Sequence, residues 1–193
     1  MAEEYEGRVE ALQTVTKEAV VLLSRHIQAG GRVLDAGCGV GLSVKLLGEK
    51  GYVVTGIDIS PKMAEYARAR NPEADIIVGD FLEVHFDQKF DGIFAFAFIH
   101  LFPKQDAERV LQKMHDILAL GGVLYIGTTE SRESKEGWEE KKDYIKGERR
   151  FRKQWTEKEF EDALRDAGFQ KLEVHKIRDP YGKTWMDFIM RKI

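Results

Sequence analysis

Apolar positions along the first 130 residues fall into two alternating periods. Val9, Leu12, Val15, Ala19, Leu22, Leu23 and Ile27 recur at three- and four-residue spacing, which predicts a helix over 9–28 closed by Gly30-Gly31. Short apolar runs at 32–36, 52–58, 74–78, 91–96 and 122–128 read as buried strands. Helical stretches at 41–50, 61–70 and 104–118 separate them, except that 82–89 is only a link. Ala107, Val110, Leu111, Met114 and Leu118 mark the inward face of the third of these helices. Helix and strand periods in alternation predict an α/β fold, a parallel sheet with helices on both faces. Past residue 130 the pattern changes. Residues 130–153 are charged, with little apolar periodicity. Thr156, with Glu159 three residues on, reads as a capping box before a helix whose core face is Phe160, Ala163, Leu164 and Ala167. Strands at 169–178 and 184–192 follow, joined by the turn signal Asp179-Pro180-Tyr181-Gly182.

The first strand runs into Asp35-Ala36-Gly37-Cys38-Gly39-Val40-Gly41, and a helix begins there. Such a loop lets a ligand lie against the backbone, because glycine carries no Cβ. The spacing is Gly-x-Gly-x-Gly. A dinucleotide fingerprint wants its third glycine at position 42, which is Leu, and a P-loop wants a Gly-Lys-Ser/Thr ending that is absent. Asp35 would repel a pyrophosphate and suits a cationic amino-acid moiety instead.

Val33 to Gly41 resembles motif I of the class I S-adenosylmethionine-dependent methyltransferases. Four further stretches carry the same resemblance. Val53-Val54-Thr55-Gly56-Ile57-Asp58 is a second strand ending in a carboxylate, followed by Ser60-Pro61 as N-cap and first helical residue. Ile76-Ile77-Val78-Gly79-Asp80-Phe81 is similar to the family's Gly-Asp-aromatic turn, and Phe90 to Pro103 to its fourth-strand motif. Leu118-Ala119-Leu120-Gly121-Gly122-Val123-Leu124 resembles the fifth-strand entry, with Leu120 where the family has Pro. The resemblance runs from about Ala29 to the C-terminus. It implies a doubly wound, Rossmann-like, seven-stranded sheet of order 3-2-1-4-5-7-6 with the last strand antiparallel. It implies one domain over 1–193, with a helical cap at 1–28 and a substrate lid at 130–155.

The implied cofactor is S-adenosylmethionine, with S-adenosylhomocysteine as product. Ligands of open α/β sheets sit beyond the carboxyl ends of the strands. That gathers Asp35, Ala36, Gly37, Cys38, Gly39, Asp58 and Met63 at the cofactor, with Asp35 and Gly37 facing the methionine moiety and Asp58 the ribose. Ile59 and Phe81 would sandwich adenine, Asp80 would read its amino group, and Ala95 and Phe96 would face the methyl. For Asp58 and Asp80 the competing role is to cap the helices that follow. His100, just past strand 4, is the candidate base or acceptor-orienting donor, against a packed histidine between Ile99 and Leu101. The remaining histidines, His26, His85, His115 and His175, read as incidental surface residues. Within the lid, Tyr144, Arg150 and Trp155 are the candidate acceptor contacts, since interleaved aromatic and basic residues suit an anionic acceptor. Tyr5 is placed to fold over the cofactor, or else to fray.

Composition narrows the partners. The chain has 193 residues and a formal charge of −3, so no global electrostatic case for nucleic acid exists. Its one cysteine, Cys38, fits a reducing compartment and a packing role. No apolar run is long enough to span a membrane, and the acidic N-terminus is not a presequence, which points to the cytoplasm. No Cys/His cluster suggests a metal. The expected partner is a small molecule, and the chain a monomer or homodimer. Methyl transfer to a metabolite, methyl transfer to tRNA or protein, and non-catalytic binding of the cofactor all remain open here.

Overall fold

The computed structural model describes residues 2–140, 149–179 and 182–193. Two N-terminal helices, α1 (Ala2–Glu6) and α2 (Val9–Ser24), precede a βα alternation. It runs β1 (Arg32–Ala36), α3 (Leu42–Gly48), β2 (Val53–Asp58), α4 (Pro61–Arg70), β3 (Asp75–Val78) and β4 (Phe90–Phe96). A 3-10 turn, Ile99–Leu101, leads to α5 (Lys104–Ile117) and β5 (Leu118–Thr129). The chain continues as β6 (Lys135–Glu140), β7 (Arg149–Gln154), α6 (Glu157–Asp166), β8 (Phe169–Arg178) and β9 (Thr184–Lys192).

Seven strands form one sheet in the order β3-β2-β1-β4-β5-β9-β8, parallel except for β9, which is antiparallel to both neighbours. This is the order expected above, once β6 and β7 are set aside as a separate two-stranded pair. The central strands are buried on both faces, and their alternation decides which core each residue joins. Ile93, Ala95, Leu124 and Ile126 pack with α5 and α6 on one side. Phe94 and Tyr125 pack with α2, α3 and α4 on the other, their rings stacked 4.6 Å apart.

Three local expectations are corrected. α2 ends at Ser24, not near 28. The chain tightens there, with the N–H groups of Arg25 and His26 donating to Leu22 and Leu23 carbonyls, and Tyr52 then holds the Ile27 carbonyl at 3.2 Å. The capping box before α6 is half present. Thr156 Oγ1 accepts from the Glu159 N–H at 3.2 Å, but the Glu159 carboxylate turns instead to the Lys153 and Lys104 ammonium groups at 2.9 and 3.2 Å. In 130–155, expected as an irregular insertion, the described residues form an antiparallel hairpin. Its support is cross-strand: Trp138 faces Phe151, Glu139 faces Arg150 and Glu140 faces Arg149. Lys153, 2% exposed, fastens it by donating to Ser134 Oγ at 2.7 Å and to the Glu159 carboxylate. No helix among the described residues is long and apolar enough to cross a membrane.

A charge-divided crevice at the carboxyl ends of the strands

The glycine loop after β1 is tied to β2, since Gly37 and Cys38 N–H groups both donate to the Ile57 carbonyl at 2.8 and 3.0 Å. Its glycines do different work. A Cβ on Gly41 would lie 2.6 Å from Asn71 Nδ2 and 2.8 Å from Ala67 Cα, so this glycine lets α3 approach α4. A Cβ on Gly37 would lie 2.5 Å from the Phe98 ring. A Cβ on Gly39 would meet nothing within 4 Å, because that residue faces open space.

The open space is a cavity of about 820 Å3 at the carboxyl ends of β1, β2, β3 and β4. Asp35, Asp58 and Asp80 line one end. Asp35 is 2% exposed and accepts from Ser43 Oγ. Burial raises its carboxyl from 3.8 to about 7, partly offset by the Ser43 bond and increased by the nearby Asp58 charge. Asp58 accepts from the Gly39 N–H and the Ser60 N–H, both at 2.9 Å. Burial raises its carboxyl too, against those two bonds. The capping of α4 falls to Ser60, whose Oγ accepts from the Met63 N–H at 3.4 Å. Asp80 accepts from the Leu82 N–H at 2.8 Å, so it shapes its own turn as well as facing the cavity. Met63 and Ile59 line the wall, Ile59 at 69% exposed. Phe81 reaches the cavity from the core, 3% exposed, with its ring edge-on to Phe98 at 5.6 Å.

Toward β7 the lining is mainly cationic: Arg149, Arg150 and Arg152 lie there with Lys183 and the single acid Asp179, beside Phe96 and Trp185, whose rings are 4.5 Å apart, while Arg8 and Lys62 line the cavity elsewhere. His100 lies on the wall, 2% exposed, with Nδ1 3.3 Å from Thr128 Oγ1. The α1 segment covers the crevice. Arg70 bonds both the Val40 carbonyl and Glu6, and Arg150 Nη1 donates to the Tyr5 hydroxyl at 3.4 Å.

Several predicted residues fall elsewhere. Trp155 is 0% exposed in the core, packed on Phe160 at 5.3 Å and under the Lys153 ammonium at 4.4 Å, and it does not line the cavity. β7 ends against α6 at that point, so the side chain turns inward. Ala36 and Ala95 are also 0% exposed and contribute no side chain to the cavity, because both point into the sheet core. Tyr144 lies outside the described residues. Cys38 lines the loop, 5% exposed, and burial pushes its thiol far up, which suits packing rather than nucleophilic chemistry. The sequence reading missed Ala97, Phe98, Lys183 and Trp185 as residues of the cavity wall. Ala97 carries a backbone φ of 58°, uncommon without glycine, with its N–H held by the Gly127 carbonyl at 3.0 Å. Lys183 and Trp185 are set by the β8–β9 turn, where Asp179 accepts from the Lys183 N–H at 2.8 Å and from Trp185 Nε1 at 2.9 Å. Among the described residues no group of three His, Cys, Asp or Glu side chains is arranged to hold a metal.

A twisted parallel sheet with a glycine loop, an acid at the tip of β2 and a crevice beyond the strand ends defines a nucleotide-type cofactor site. Comparison with known proteins makes this particular. Residues 33–122 match the family model for the methyltransferase domain. An uncharacterized methyltransferase of Staphylococcus carnosus is 36% identical over 101 residues, 52% of this chain and 48% of that protein. The mouse 18S rRNA (guanine-N(7))-methyltransferase is 40% identical over 75 residues, 38% of this chain and 27% of that protein. The chain thus spans half the length or less of these curated relatives. The solved 1,6-didemethyltoxoflavin-N1-methyltransferase of Burkholderia thailandensis, with bound 1,6-didemethyltoxoflavin and S-adenosylhomocysteine, superposes with a TM-score of 0.78 at 22% identity, over 99% of this chain and 86% of that one. Residues 33–122 thus match the methyltransferase-domain family, and the fold is that of the S-adenosylhomocysteine-bound methyltransferase it superposes on.

Proposed function

We propose that this chain transfers the methyl group of S-adenosylmethionine to an O, N or S atom of a small anionic or aromatic acceptor. One observation carries the reading: charge is divided along a single cavity. Carboxylates of Asp35, Asp58 and Asp80 gather at the tips of β1, β2 and β3, with Lys62 near them, while Arg149, Arg150, Arg152 and Lys183 cluster toward β7 and the β8–β9 turn, where Asp179 is the one acid among them. A cationic donor is drawn to the first end and a carboxylate or phosphate to the second.

The residues present fit the cofactor. Open space over Gly39 lets a ligand approach the backbone. Asp58 uses one bond per oxygen on Gly39 and Ser60, which leaves lone pairs for two ribose hydroxyls. Ile59 and Phe81 offer the apolar faces for adenine, and Asp80 its amino partner. Asp35 holds the ammonium of the methionine moiety. Bound there, S-adenosylmethionine supplies an electrophilic sulfonium methyl whose transfer leaves a neutral thioether. The protein's task is then mainly to hold the two reactants in line. Phe96 and Trp185 exclude water beside the methyl, and the β7 arginines orient the acceptor by its anion. His100 receives the proton of an acceptor that must lose one, with Thr128 fixing the plane of its ring.

The test is release of S-adenosylhomocysteine from S-adenosylmethionine with two fractions of a cell extract, metabolites and macromolecules. Release with metabolites supports the reading. Release with RNA or protein alone moves the acceptor to a macromolecule. Silence with both, despite measured cofactor binding, makes the chain a binding module.

A further inference from the structure

The crevice has a neighbour. A second cavity, of about 950 Å3, lies between the β6–β7 hairpin and the beginning of β9. Arg150, Arg152 and Lys183 line both cavities, so three cationic side chains form the boundary between them. The outer cavity is polar and built from strand ends. Thr129 accepts from Arg152 Nη2 at 2.6 Å, Ser131 donates to Gln154 Oε1 at 3.2 Å, and Gln154 Nε2 donates to Glu139 Oε1 at 2.6 Å. The Glu130 N–H donates to the Thr184 carbonyl at 2.9 Å, which closes the floor. Chemistry therefore differs between the two cavities. Phe96 and Trp185 line the inner one, Arg150, Arg152 and Lys183 line both, and the outer one adds hydroxyls and the carboxylates of Glu130, Glu139 and Glu140 with Arg132 among them.

A compact acceptor would end at the cations and make no use of what lies beyond. We infer that the outer cavity is a second compartment of the acceptor site, built for an elongated acceptor. Its apolar or aromatic end reacts in the inner cavity. Its anionic waist sits among Arg150, Arg152 and Lys183. Its tail, bearing amine or hydroxyl donors, extends to Glu139 and to the hydroxyls of Thr129 and Ser131. Which end reacts rests on the methyl-transfer reading; the two compartments do not.

Two probes separate the compartments. Methyl 4-nitrophenyl phosphate and 2-aminoethyl 4-nitrophenyl phosphate share an aromatic end and a phosphodiester, and differ only in the ammonium-bearing tail. Calorimetry on the full chain saturated with S-adenosylhomocysteine is expected to show the aminoethyl probe binding about tenfold more tightly, the scale of one charged contact. Ser131→Trp, which fills the outer cavity, is expected to abolish that difference and spare the methyl probe. Glu139→Gln, which removes the carboxylate but keeps an oxygen to accept from Gln154, is expected to do the same. Equal affinities, a difference that survives both variants, or binding of neither probe overturns the inference. Titration with S-adenosylhomocysteine alone tests the methyltransferase reading separately, because it does not involve the outer cavity.

Discussion

Replacing Asp35 by Asn separates cofactor affinity from stability. Asp35 sits at the tip of β1, 2% exposed, with its carboxyl raised from 3.8 to about 7 chiefly by burial. The sign follows from linkage. Between about pH 4 and pH 7 the native state holds a proton that the unfolded chain has released, so stability falls as pH rises through that window. At about 1.4 kcal/mol per pKa unit, the ionised carboxylate costs the free protein about 4 kcal/mol at pH 8. A bound ammonium offsets that cost by lowering the carboxyl's pKa. Binding below pH 7 therefore releases a proton, and affinity for S-adenosylhomocysteine rises with pH by up to about tenfold per unit before levelling above pH 7. In Asp35→Asn the profile flattens and binding weakens, while the melting temperature at pH 8 rises by several degrees, at about 2–4 °C per kcal/mol. Calorimetry from about pH 5.5 to about pH 8.5, repeated in buffers of different ionisation enthalpy, reads both the slope and the proton. An unchanged slope in the variant would assign the proton to Asp58, whose carboxyl burial also raises, and refute the reasoning.

Asp58→Ala removes the acceptor of the Gly39 and Ser60 N–H groups and the ribose contact together, and is expected to weaken cofactor binding by ~1–3 kcal/mol. Unchanged affinity by calorimetry would end the ribose role. Arg150→Ala is expected to raise the acceptor's KM severalfold and leave cofactor affinity alone; the reverse pattern would mean that its bond to Tyr5 matters more for closing α1 over the cofactor. Trp155→Ala is expected to lower unfolding free energy by ~3–5 kcal/mol in urea, with cofactor affinity intact where the variant is folded. Full stability combined with loss of acceptor binding would return Trp155 to the site.

The part of the crevice proposed to hold the cofactor can be read from the chain because its residues are local. Asp35, Gly37 and Gly39 lie on one loop, and Asp58 and Ile59 on the next strand tip. A parallel sheet brings consecutive strand tips together without further information. The alternation of helix and strand periods likewise predicts a parallel sheet with helices on both faces, while its strand order follows from the family resemblance and matches the sheet observed. Where the reading failed, side-chain direction decided. Ala36, Ala95 and Trp155 have the right place in the chain and point the wrong way, into a core that only the assembled layers define. The φ of 58° at Ala97 likewise has no local signal, because a non-glycine residue is held there by the Gly127 carbonyl of a different strand.

The acceptor half is assembled from separate segments: Tyr5 from α1, the arginines from β7, and Lys183 and Trp185 from the β8–β9 turn. The hairpin that carries the arginines shows no apolar period along either strand. Its order lies between them, in the Trp138–Phe151 pair and in glutamates facing arginines. A search for periodicity in one segment cannot see it. This division has a consequence for how the protein's specificity changes. Substitutions in β6, β7 or the β8–β9 turn alter charge and length at the acceptor end while leaving the β1 and β2 tips untouched, because the two ends share a cavity but little backbone. On the proposed reading, donor chemistry is carried by contiguous sequence and acceptor choice by tertiary pairing. Relatives that share residues 33–122 with this chain need not share its substrate.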